Sequence, residues 1–174
     1  MTINLNKKTF GYASAFLAFV ALILWGFLNA IQFKTVFDLG FLGKSETITN
    51  YSGFRILFGI TNKSENFLGQ TVLTEISKFN WMSLATYVLG LVGIFCMIIR
   101  KRLSKIGVIA LLLTTVLVFL SPLFVEWFLV AEQKDLVKEL GDAFTISLST
   151  PAIINGVVLG LATLFGVGSL LVKK

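Results

Sequence analysis

The sequence predicts an all-α transmembrane four-helix bundle carrying a small extracellular antiparallel β-sheet, with the N- and C-termini cytoplasmic. Three observations predict it. Hydrophobic residues make up 56% of the 174 positions and charged residues only 14%, so a soluble domain of this composition would lack the polar surface to cover itself. Four runs stay free or nearly free of charge over about 20 residues, the length that crosses a bilayer. Lys and Arg gather at one set of ends of these runs, and the acidic residues gather at the other.

The runs cover residues 10–31, 81–99, 106–130 and 152–172. Each is expected to be helical, because a backbone in lipid must satisfy its own hydrogen bonds. The first is read as an uncleaved span: it exceeds the usual length of a signal-peptide core, and no A-x-A site follows it. Lys7 and Lys8 precede it. Arg100, Lys101, Arg102 and Lys105 occupy the turn between the second and third runs, and Lys173 and Lys174 close the chain. No acidic residue lies on that side, which places it in the cytoplasm of a plasma-membrane protein. Trp25, Trp81 and Trp127 are expected at the opposite interface. The formal charge of +6 therefore reads as a topology signal that also suits anionic headgroups. The basic segments are too short to form a nucleic-acid surface.

Residues 32–80 form an extracellular connection too long for a simple loop. Segments 46–51, 54–60 and 70–76 are rich in β-branched and aromatic residues and read as strands. The polar stretches 43–46 and 62–66 read as their separators. The second connection, 131–151, divides in two. Residues 132–140 read as a helix that prolongs the third span, with Gly141 just past its end. Phe144 to Ser149 then alternates apolar and polar, the period of a half-buried strand able to join the sheet. Ser121-Pro122 predicts a kink in the third span. Sequons occur at Asn50 and Asn62.

Packing of the spans is expected to use small residues, since lipid supplies no hydrophobic drive between helices. Stripes at spacings of three and four run through Gly11, Ser14, Ala18 and Ala21; Ser83, Thr86, Gly90 and Gly93; Gly107, Ala110 and Thr114; and Ala162, Gly166 and Ser169. Gly156 and Gly160 form a GxxxG on the fourth span. The candidate helix-packing residues are thus Gly90, Gly93, Gly156 and Gly160.

The search for chemistry gives few residues. With no histidine, no Ser-His or Cys-His pair exists. The single Cys96 has no partner for a disulfide and reads as a small hydrophobe, or as a palmitoylation site. Glu126 is the one ionisable residue inside a run. It is read as a solvated interfacial carboxylate, with a polar site shared with Arg55 or Lys34 as the functional alternative. Glu132, Asp135 and Glu139 share a helical face suited to a weak Ca²⁺ site. Lys134 and Lys138 interleave and favour a solvated helix, so no metal or cofactor is expected. Asn155 is expected to cap or to bond across the bundle.

The layout resembles claudin-type four-helix membrane proteins, which have both ends inside, a sheet-forming first outer loop, an extended third helix and a second outer loop with a strand. That family's Gly-Leu-Trp followed by two cysteines is absent. The nearest stretch is Tyr51-Ser-Gly-Phe-Arg-Ile-Leu-Phe-Gly59. Its Gly-Phe-x-x-x-Phe-Gly part and the Phe-Leu-Ser-Pro122 of span three also look like uncharacterised bacterial four-span membrane proteins.

The function expected from these features is a non-enzymatic accessory or interaction protein. It would use its extracellular sheet and helix faces to bind a membrane-protein partner or a second copy. A small channel or transporter subunit is the alternative, followed by a membrane enzyme built on Glu126 and by protection against a membrane-active toxin.

Overall fold

The computed structural model describes residues 7–38, 40–65, 71–99 and 103–172. The chain is mostly helical with a small antiparallel sheet. In order, it forms α1 (Lys7–Phe27), β1 (Asn29–Asp38), β2 (Lys44–Ser52), α2 (Gly53–Phe58), β3 (Thr61–Glu65), β4 (Thr71–Glu75), α3 (Trp81–Ile99), α4 (Ser104–Phe119), α5 (Ser121–Phe128), α6 (Ala131–Leu140), β5 (Phe144–Leu148) and α7 (Thr150–Leu171). Lys8–Phe27, Trp81–Ile99 and Thr150–Leu171 are long and apolar enough to cross a membrane, and α4 with α5 adds a fourth span if the bent pair counts as one.

Around the bundle, α1 packs between α7 and α3, and α4 packs between α3 and α7. The small-residue stripes line these contacts: Ser14, Ala18, Ala21, Ser83, Thr86, Thr114, Ala162 and Ser169 are all buried. Large apolar residues such as Phe16, Phe19, Val88, Leu112 and Leu164 face outward. A water-soluble bundle has the reverse arrangement. Among the described residues the core is free of charge but not of polarity. Ser14 Oγ donates to Ala162 O at 2.6 Å, joining α1 to α7. Thr114 and Thr163 donate to carbonyls of their own helices.

α1, α5 and α7 meet the sheet at one end of the bundle. Strand β1 is central, with β2 and β5 antiparallel on either side of it. Phe33 on β1 makes edge-on contacts with Tyr51 and Phe144, at ring-centroid distances of 5.0 and 5.5 Å, so one aromatic cluster ties the three strands together. Ser149 caps α7 by accepting from Ala152 N, and its hydroxyl donates to Asn29 O. β5 therefore joins the sheet as the alternation of its side chains predicts.

Several expectations are corrected. The first span does not reach residue 31. It ends at Phe27, and Ala30 and Ile31, both fully buried, start β1. The strand ladder takes up backbone that the apolar run had assigned to helix. Segment 54–60 is not a strand but contains α2: Ser52 accepts from Arg55 N as its cap, and Ile56 and Leu57 bury together. The sheet is accordingly β2-β1-β5, while β3 and β4 form a separate hairpin that includes the supposed separator at 62–65. The third span bends where Ser121-Pro122 predicts: it breaks at Leu120, where α4 and α5 meet at 61°, with Pro122 in the first turn of α5. Contrary to expectation, α6 does not prolong this span. Leu129 bridges to Ser77, and Val130 N donates to Ile76 O, which interrupts the helix. Trp25 is 1% exposed, packed under Gly53 rather than facing an interface. Trp81 and Trp127 are exposed.

Candidate interaction surfaces

Helix α5 presents Glu126 to α6. Glu126 is exposed and stands where two shallow cavities of about 200 and 180 Å³ meet, sharing Val137 as a wall. Lys134 and Lys138 line the first cavity, and Lys134 Nζ donates to Trp127 O at 2.8 Å. Arg55 is engaged elsewhere. Its guanidinium donates to Thr61 O at 2.7 Å and lies 5.1 Å from the centre of the Tyr51 ring. Lys34 pairs with Glu46 across β1 and β2 at 2.8 Å. The structure thus does not unite Glu126 with either cation, because each is held by its own local strand or turn. On α6, Asp135 pairs with Lys138 at 3.6 Å. Among the described residues no group of three or more acidic, His or Cys side chains is placed to hold a metal ion.

The four candidate packing glycines divide. A β-carbon at Gly90 would stand 2.6 Å from Leu22 Cδ1, and one at Gly93 would stand 2.8 Å from Leu111 and 3.3 Å from Gly107 O. These two let α3 approach α1 and α4. Gly156 packs against Phe119, whereas a β-carbon at Gly160 would meet nothing within 4 Å. The GxxxG therefore splits, one glycine facing α4 and the other facing open space. Asn155 is buried on α7 and does not cap it; Ser149 does. Cys96 is half-buried on α3. Asn62 donates to the Tyr51 hydroxyl at 3.3 Å.

Two features escaped the sequence reading. The first is a chain of rings at the sheet end of α1 and α3. Trp25 packs on Tyr87 at 5.1 Å, Tyr87 stacks on Phe54 at 5.3 Å, and Phe54 meets Phe27 and Phe58. Phe58, Phe79 and Trp81 continue it. The spacing of Phe54 and Phe58, four residues apart behind a Ser52 cap, was the available helical signal.

The second is the β1–β2 hairpin. Strand β5 pairs with β1 only between Ile31 and Thr35, so residues 36–38 and their partners 44–46 extend past it as a two-stranded finger. Its tip carries Phe41, 96% exposed, and its β1 strand carries Phe37, about half exposed. The outer edge of β2 is exposed from Lys44 to Asn50, and its charges and polar residues discourage indiscriminate strand pairing.

No known protein family, curated protein or solved structure matches the chain.

Proposed function

We propose that this chain is a non-enzymatic multi-pass protein of the plasma membrane that works by binding another membrane protein through its extracellular sheet layer. The membrane reading is supported by the long apolar helices, and the acid-free ends away from the sheet favour cytoplasmic termini. Claudin-like layering is consistent with a first connection that supplies two sheet strands and a second that supplies one.

The observation that carries the interaction reading is the β1–β2 finger with Phe41 at its tip. An aromatic ring this exposed, followed down the finger by the half-exposed Phe37 and bordered by charged and polar edges, is the composition of a binding anchor with a polar rim. The test is a photoreactive amino acid at Phe41, irradiated in native membranes and analysed by mass spectrometry after mild extraction. A reproducible adduct with one membrane protein is expected. Only unlinked monomer, across several growth conditions, sinks the reading. A homo-oligomeric channel subunit is the second reading, favoured by the open space at Gly160 on α7. Adducts of the chain with itself, together with vesicle flux above empty controls, would establish that alternative.

A further inference from the structure

An apolar groove of about 390 Å³ runs between α1 and α3 in the half of the bundle away from the sheet. Tyr12, Phe16 and Phe19 form one wall, Leu91, Phe95 and Ile98 form the other, and Ala15 lies between them. Ala15 is nearly buried, and its single methyl group leaves the depression that a longer side chain would fill. The large side chains on both walls are exposed, so the groove opens to the surroundings of the bundle.

We propose that this groove holds an acyl chain of an anionic phospholipid from the cytoplasmic leaflet, with the phosphate at the Lys8 end. The inference rests on the membrane reading above, and three observations favour this occupant.

The first is depth. Measured from Lys8 at about 1.5 Å per residue, the α1 wall runs from about 6 Å at Tyr12 to about 16 Å at Phe19. That interval ends where one leaflet of a hydrocarbon core about 30 Å thick ends. A transmembrane helix from a second copy needs a seam along the whole span. Here the groove stops halfway, and the Phe27, Phe54 and Tyr87 rings lie towards the far end of the same two helices.

The second is charge. Lys8 is exposed and lies one helical turn before Tyr12, on the same face of α1. The sequence gathers eight Lys and Arg residues, and no acid, at the ends of the spans on that side. Basic residues near a membrane surface attract anionic lipid, each contributing roughly fivefold in binding. The third is the gradient of polarity. Tyr12 is the one groove residue with a hydroxyl, and it stands at the shallow end, where a lipid's ester groups lie; the rest of the lining is hydrocarbon.

The test uses the full-length chain in bilayers of phosphatidylcholine containing a phosphatidylglycerol with a photoreactive acyl chain. After irradiation, peptide mass spectrometry locates the label. Labels concentrated in residues 12–19 and 91–98, and competed away by unlabelled phosphatidylglycerol several-fold better than by phosphatidylcholine, are expected. Lys8→Gln should reduce that preference about fivefold. Leu91→Trp, which fills an open wall, should remove the labels while leaving the melting temperature in detergent unchanged. Labels spread evenly over the outward faces of α4 and α7, or equal competition by the two lipids, overturns the site. Carbonate extraction of the same membranes separates the two failures. A chain released into the aqueous phase defeats the membrane reading itself, whereas a retained chain with even labelling defeats only the groove.

Discussion

Gly53 lies against Trp25 so closely that a β-carbon there would stand 2.5 Å from the Trp25 carbonyl oxygen and 2.7 Å from Cε3 of its ring. The start of α2 is thereby seated on the end of α1. Because the nearest obstacle is backbone, it cannot swing aside as a side chain would. Gly53→Ala is expected to destabilise the protein by about 1–3 kcal/mol, the usual cost of overpacking. Thermal unfolding in mild detergent, followed by near-ultraviolet signal from the buried Trp25, checks this. An unchanged midpoint would show that α2 is free to lift.

Two glycines predicted alike from sequence should respond oppositely. Gly93→Ala drives a methyl group into fully buried Leu111 and towards the Gly107 carbonyl, and should destabilise by about 1–3 kcal/mol. Gly160→Ala meets open space on a regular helix and should be neutral, or stabilising by about 0.4–1 kcal/mol. Parallel melts of the two variants decide it, and equal losses would contradict the placement of Gly160.

Ser14→Ala removes the bond to Ala162 O that links α1 with α7. Hydrogen bonds between membrane helices average about 0.6 kcal/mol and reach about 1.7, so a loss in that range is expected. Ser14→Thr, which keeps the hydroxyl, should recover part of it if the buried site accepts the extra methyl.

Ser149 has two tasks, capping α7 and donating to Asn29 O at the start of β1. Ser149→Ala should cost about 1–2 kcal/mol, the upper part of the range for a lost cap. Hydrogen exchange should speed at Ala152 N and along the β1–β5 pairing together. Faster exchange at the helix end alone would mean that the Asn29 bond contributes little.

Phe41→Ser changes a side chain that is 96% exposed at the hairpin tip, so folding stability should move by less than about 0.5 kcal/mol. Capture of a membrane partner should fall at least tenfold in the same preparation. A large drop in stability would place Phe41 in the packing of the protein rather than at a binding tip.

Much of the architecture was readable because it depends on local pattern. Charge-free length marked the helices. Small residues at spacings of three and four marked their buried faces, and strict alternation marked β5 as a strand. Ser121-Pro122 announced a break because proline removes a backbone donor whatever surrounds it.

What local pattern leaves open is which of two partners a segment takes, and there the tertiary structure decided. Ala30 and Ile31 are apolar enough for a membrane helix, yet the ladder to Tyr51 and Leu148, far away in sequence, makes them strand. Residues 54–58 are as rich in β-branched and aromatic side chains as a strand. Stacking of Phe54 on Tyr87 and the seat of Gly53 on Trp25 favour the helix instead. Arg55 went to Thr61 O and the Tyr51 ring rather than to Glu126, because α2 and β3 bring those groups nearer. By itself, the sequence determined which segments are apolar and how their side chains repeat. The fold alone decided where each segment ends, which cation meets which anion and which glycine faces a neighbour, since these depend on distances between residues that no local periodicity encodes.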